Sequence, residues 1–317
     1  MGATYIPAAS FALQPRDLRF LRDLFESRVM TLAHAADLHF AGSKEAAKKR
    51  LQKLKSAGLI AERIRRVNEP AILFLAKHGL DILQKEGVLA EYPSFDLPVL
   101  VKRARVSPLT INHELSVMDV KAAFHAALQA SATHSIAEFC TWPRLHEFES
   151  DVLVKPDGFI RIHEKETDGS LSEHTFFLEV DRSSETLDIL VSRAQAYISF
   201  YKSGGFAVKN GAPRSAFRDY PFRLLIVLKS AERRNNVIEA LLQGIPPILT
   251  QVYLSTIDAV NADPFGAVWV RPIDYRDATR DSEFSTERQR RQWGYQRNTA
   301  RDVFVQARTP RRPLIDS

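Results

Sequence analysis

The chain has 317 residues, 45% apolar and 26% charged, with a formal net charge of +6; this suits a soluble globular protein long enough for two ordinary domains. A single cysteine, Cys140, excludes an internal disulfide and any multi-cysteine zinc site, and reads as a buried, inert thiol. No apolar run approaches the roughly 18 residues of a membrane span. No basic stretch leading into an apolar core opens the sequence either, so the cytoplasm is the expected compartment.

The charge is unevenly spread. Residues 1–110 carry 18 Lys and Arg against 11 Asp and Glu, residues 111–275 carry 16 against 21, and residues 276–317 carry 10 against 6. A basic head and tail around an acidic centre fit polyanion contact at the ends and cation binding in the middle. Uneven surface charge without function is the plain alternative.

In chain order, apolar spacing predicts a helix over 14–25 and a shorter one over 31–38 capped by Thr31. Ser43 caps a third helix that runs to about Ala57 and stops at Gly58. Its apolar stripe is Ala47, Leu51 and Leu54, and its other side carries Lys48, Lys49, Gln52 and Lys53. Two strands, 59–66 and 71–75, flank the turn Asn68-Glu69-Pro70, and a helix over 76–84 closes the unit. Helix, helix, helix, ribbon, helix is the order of a winged helix, which lays its third helix in the DNA major groove. Lys48, Lys49 and Lys53 would then meet phosphates, Gln52 a base edge, and Arg63, Arg65 and Arg66 on the ribbon the backbone or minor groove. A solvated helix face, or a protein-binding winged helix, is the competing reading. Residues 1–92 form this expected domain, and the turn-rich stretch 93–109 is the expected linker.

Residues 110–275 read as a second domain. A helix over 110–130 carries the stripe Ile111, Leu115, Met118 and Ala122. Strands follow over 136–141, 151–154, 159–163, 175–180, 222–228 and 252–255, with helices over 184–201 and 231–243. The expected architecture is α/β (α+β), a mixed sheet flanked by helices. Within it Glu179 and Asp181 leave one face of one strand, and Asp157 sits in a Pro-Asp-Gly turn before a neighbouring strand. Three converging acids need a compensating cation, and Mg²⁺ held by Asp157 and Glu179 is the expectation. An ordinary turn residue at Asp157 and a surface acid at Asp181 are the simpler alternative. Glu114, on the domain's first helix, reads as a solvated acid more readily than as a further ligand. The histidines show no zinc spacing, and no Gly-rich phosphate loop is present.

Pro156-Asp157-Gly158, then Phe177-Leu178-Glu179-Val180-Asp181-Arg182, then a helix with Arg193 and Tyr197, resemble the replication-relaxation family. Leu225-Ile226-Val227, Glu232-Arg233 and Trp269 are similar to its pattern too. The resemblance spans roughly 10–275 and implies a DNA-binding winged helix joined to a restriction-endonuclease-like, PD-(D/E)xK domain of plasmids and mobile elements. An active nuclease of that kind has a lysine two residues after the glutamate, where this chain has Asp181. Arg193 on the following helix could steady charge on the phosphate, but a guanidinium stays protonated and is no base; packing or a salt bridge explains it equally well.

Two functions follow. In one, Asp157, Glu179, Asp181 and Arg193 serve metal-dependent DNA cleavage. In the other, the domain is a retired scaffold in a regulator or replication accessory factor. DNA is the expected partner, no membrane is, and a homodimer is left open. The tail from 276 onward interleaves Arg288, Arg290, Arg291, Arg297 and Arg301 with Trp293, Tyr295 and Phe304. It suits nucleic acid as well as it suits a solubilising tail.

Overall fold

A computed structural model describes residues 12–63, 69–90, 92, 110–141, 145, 156–183, 185–280 and 309–315. Arg65, Arg66, the expected linker over 93–109, the strand expected over 151–154 and most of the basic tail lie outside the described residues. The chain forms two compact units, Met1–Ala122 and Ala123–Ser317. Its architecture is mixed α+β, as the residue pattern implies.

The first unit starts with α1 (Pro15–Ser27), a two-residue strand β1 (Met30–Thr31), α2 (Leu32–His39) and α3 (Lys44–Ser56). Hydroxyl caps set the starts of α2 and α3: Thr31 accepts from the His34 N–H at 3.2 Å and Ser43 from the Ala46 N–H at 3.3 Å. Gly58, at φ +69°, then turns the chain out of α3. β2 (Ile60–Glu62), β3 (Ile72–Leu75) and α4 (Lys77–Lys85) complete the order. The sheet runs β1-β3-β2, all antiparallel, with Met30 opposite Leu73 and Ile60 opposite Leu75. β1 has too few residues to show a period, so the sequence pattern does not disclose it.

Phe20, Leu21, Leu24 and Phe25 of α1 are buried, as are Leu51 and Leu54 of α3 and Leu73 and Leu75 of β3, and Ala47 of α3 packs with Ala36 and Phe40. One ion pair fastens α3 to α1. Arg50 Nε donates to Asp17 Oδ1 at 2.9 Å and Arg50 Nη2 to Asp17 Oδ2, with Asp17 1% exposed. α4 approaches closely at Gly79, where a Cβ would stand 2.1 Å from the carbonyl oxygen of Leu59.

α5 (Ile111–Gln129) carries residues of both units. Ile111, Met118 and Ala122 are buried as their spacing implies, and Leu115 is half-buried. Glu114 is not simply solvated: its Oε1 accepts from Arg28 at 2.7 Å. Lys121 is buried against Asp23 at 3.3 Å. Burial works to raise the Asp23 carboxyl, but Lys121 and His39 outweigh it and hold it well below the usual range.

In the second unit β4 (His134–Cys140), β5 (Gly158–Lys165) and β6 (Leu171–Asp181) form an antiparallel meander. α6 (Leu187–Lys202), α7 (Gly205–Lys209) and a 3₁₀ turn at Arg214–Asp219 lead to β7 (Arg223–Leu228), parallel to β6. α8 (Ala231–Gln243) leads to β8 (Val252–Thr256), parallel to β7, followed by α9 (Ile257–Ala262) and α10 (Pro272–Arg280). The sheet order is β4-β5-β6-β7-β8. Leu224 to Leu228 is a continuous apolar run because both faces of that strand are buried. Phe177, Tyr197, Phe200, Phe206 and Phe222 make an aromatic core on one face, with Phe177 and Phe222 edge to face at 4.8 Å. Cys140 is buried, as expected. Residues 309–315 return to the sheet: Arg312 exchanges two backbone hydrogen bonds with Trp269, and Leu314 and Ile315 are buried.

Gly79→Ala should lower the unfolding free energy by about 2 kcal/mol or more, because the clash is with backbone and exceeds the helix-propensity gain of alanine. Denaturant titration checks it; an unchanged or raised midpoint contradicts the packing described.

Candidate functional site

On β6, residues 175, 177, 179 and 181 face the same way. Phe177 enters the aromatic core, so the next residue on that face, Glu179, stands directly above apolar rings and is 2% exposed. Asp181, one step further, is 3% exposed. Buried carboxylates need donors, and α6 and α8 supply them.

Glu179 accepts from Tyr197 Oη at 2.6 Å on one oxygen and from Arg193 Nη1 at 3.0 Å on the other. Arg193 and Tyr197 are four apart on α6, so they share its inner face. Asp181 accepts from Arg233 Nε of α8 at 2.8 Å and from its own loop, at Ser183 N–H, at 3.0 Å. Glu185 links the two arginines. Its Oε1 accepts from Arg193 Nη2 at 2.5 Å, and its main-chain carbonyl accepts from Arg233 Nη2 at 2.5 Å. Its Oε2 is buried with no hydrogen-bond partner among the described residues.

Asp157 ends the β5 ladder against β6 on either side of Glu179. Its N–H donates to Leu178 O at 3.0 Å, and its Oδ2 accepts from Val180 N–H at 2.8 Å. The turn acid and the strand acid therefore come together. Burial, with Asp157 adding to it, pushes Glu179 up to about 8, against the pull of Arg193 and Tyr197. Burial and Glu179 likewise push the Tyr197 phenol well above its ordinary value.

The acids do not share one partner. Glu179 is answered by α6 and Asp181 by α8. Guanidinium groups fill the role of compensating cation, and both Glu179 oxygens are engaged. Among the described residues no group of three or more His, Cys, Asp or Glu is placed to hold a metal ion.

Elsewhere, Lys48, Lys49, Gln52 and Lys53 are exposed on the outer face of α3, and Arg63 is half-buried at the end of β2. The sequence patterns passed over Glu185, whose place depends on the turn after β6, and gave Tyr197 and Arg233 no role of their own. The four-residue spacing from Arg193 to Tyr197 was the available signal for Tyr197.

A family model described as replication-relaxation matches residues 21–213. The chain belongs to the replication-relaxation family. Membership associates it with replication and mobile elements. The family match takes in α3, Asp157, Glu179, Asp181 and Arg193, and ends before α8 with Arg233. No curated protein and no solved structure matches the chain. No helix among the described residues is long and apolar enough to cross a membrane.

Because Glu179 titrates above its ordinary 4.5, its protonated form favours folding: the contribution is complete below about 4.5 and is lost as pH rises through about 8. Glu179→Gln keeps an acceptor for Arg193 and cannot ionise. Relative to wild type its stability should rise across that window, by on the order of 5 kcal/mol. Denaturation of both proteins at several pH values checks this; a constant difference would sink it.

Proposed function

We propose that the protein binds duplex DNA through its first unit, in the replication or transfer of a plasmid or other mobile element. The carrying observation is the outer face of α3. Lys48, Lys49 and Lys53 are exposed there and make no ion pair among the described residues. Neighbouring charges elsewhere on the unit are matched, as in Arg50 with Asp17, Arg28 with Glu114 and Lys55 with Glu62. Unmatched lysines on one helix suit the phosphates of a duplex, which their approach would strip of counterions. The order α1-β1-α2-α3-β2-β3-α4 supports a winged helix, in which α3 would enter the major groove. Gln52, between the lysines, has the paired donor and acceptor that read an adenine edge. Arg63 extends the basic surface onto the ribbon.

In this reading the second unit is a nuclease-like domain at rest, its buried acids held by Arg193 and Arg233. The order α5-β4-β5-β6-α6-β7, with Asp157 before the second strand and Glu179 on the third, supports that kinship. Asp181 stands where an active nuclease of this kind has a lysine, and it is paired with Arg233, so the constellation lacks that lysine.

Fluorescence anisotropy with a labelled duplex over a salt series tests the binding. Wild type should bind with a steep salt dependence. The triple variant Lys48→Ala, Lys49→Ala, Lys53→Ala should lose at least about tenfold in affinity at low salt, with the log–log slope falling by about 0.9 per phosphate contact removed. Salt-independent binding, or an unchanged triple variant, would overturn this reading.

The closeness of Asp157 to Glu179 favours a second reading, metal-dependent cleavage. There Asp157 and Glu179 would hold Mg²⁺, which would neutralise charge at the scissile phosphate. Asp181 would assist, and Arg193 would steady the phosphate. Supercoiled plasmid incubated with Mg²⁺ or Mn²⁺ separates the two. We expect binding without nicking from wild type and from Asp157→Ala, Glu179→Ala alike; metal-dependent nicking that the double variant abolishes would establish the second reading instead.

A further inference from the structure

α8 carries two consecutive arginines in different circumstances. Arg233 is answered by Asp181 and by the carbonyl of Glu185. Arg234 projects about 100° further round the helix and is only 5% exposed. Its hydrogen bonds among the described residues run from Nε and Nη2 to the side-chain oxygen of Asn235, at 3.2 and 3.0 Å, and Nη1 makes none. Asn235 is buried too, and its Nδ2 has no acceptor among the described residues. A neutral amide orients a guanidinium without neutralising it.

A charged group that acts on it has the same sign. Arg311, exposed on the returning segment, acts electrostatically on Arg234; burial first, and Arg311 second, bring the Arg234 guanidinium down to about 10. Tyr275, the other group acting on it, gives its hydroxyl to Glu239 at 2.9 Å. The position of Arg311 is not accidental. The next residue, Arg312, is held by two backbone bonds to Trp269 and by Asp274 at 3.0 Å, and Arg223 Nη1 donates to Leu314 O at 2.9 Å. The segment is fastened just beyond Arg311, so two like charges are kept together against their repulsion, one of them buried. Arg234 meets no anion among the described residues; a buried cation so placed is costly, and the partner it calls for is an oxyanion.

We propose that Arg234, Asn235 and Arg311 form a phosphate-binding site. Two guanidinium forks and an amide N–H₂ supply several donors, which suits the several acceptor oxygens of a phosphate better than one carboxylate. Free phosphate and a nucleic-acid backbone present the same group, so the site does not rest on DNA binding by α3.

The test uses the full chain in thermal unfolding, comparing potassium phosphate with potassium chloride and potassium acetate at matched ionic strength. Phosphate should raise Tm above both other salts. Arg311→Ala, at an exposed position, and Arg234→Met should each retain only phosphate's general salting effect, which all variants share. In chloride, Arg234→Met should unfold at or above the wild-type temperature, since it removes an uncompensated charge. The proposal is overturned by an equal phosphate rise in wild type and both variants, or by acetate matching phosphate. It is also overturned if Arg234→Met unfolds well below wild type in chloride, since a carboxylate of the same chain then already fills the place. Once the phosphate effect is established, anisotropy with an oligonucleotide assigns its source: weaker binding by Arg311→Ala identifies a backbone phosphate, and unchanged binding a small phosphorylated molecule.

Discussion

A carboxylate above an aromatic core is the constraint around which the second unit is organised. Glu179 cannot be hydrated where β6 places it, so its carboxyl oxygens need partners within the fold, and the helix that follows supplies them. That requirement couples the strand to the crossover: α6 must present Arg193 and Tyr197 toward β6 while its Leu190, Ala194 and Phe200 fill the core. Asp181 repeats the demand one step along and is met from the next crossover, α8. Glu185 then joins the two arginines, so strand and both helices share one network. Such a network contributes little net stability compared with an apolar substitute. What it does is specify: any shift of α6 or α8 along the sheet would leave a buried charge unanswered.

The first unit uses arginine and lysine for different ends, and the chemistry explains why. Arg50 and Arg28 are turned to carboxylates, where the planar fork makes directed contacts with modest hydration loss. The lysines of α3, compact and strongly hydrated, stay in water. The inward pair fixes the helix and leaves Lys48, Lys49 and Lys53 uncommitted among the described residues, which is the state a polyanion-binding surface requires. The same logic singles out Arg234, an inward-turned arginine that meets no carboxylate among the described residues.

Features set by a few adjacent residues were legible in the sequence. Thr31 and Ser43 mark helix starts because a hydroxyl caps the first turn, and the stripe Ala47, Leu51, Leu54 identifies the buried side of α3. The strands around Glu179 are long and apolar enough to be read as buried, and a Pro-Asp-Gly turn beside them pointed to Asp157. Partners were not legible. Nothing near Asp181 in sequence announces Arg233, 52 residues on, and Glu114 reads as a solvated acid until α1 brings Arg28 to it. β1 exists only because β3 lies beside it. The docking of residues 309–315 likewise depends on Trp269 being buried where its backbone can pair, which no local pattern encodes.

The separation of outward lysines from inward arginines has a practical side. An amine-selective reagent would mark the α3 face without touching the guanidinium network that supports the fold. Lys121, buried against Asp23, would stay unmodified for as long as the unit is folded and so serves as an internal gauge of integrity. Protection of Lys48, Lys49 and Lys53 against that gauge maps whatever covers the face directly, in the unmutated protein.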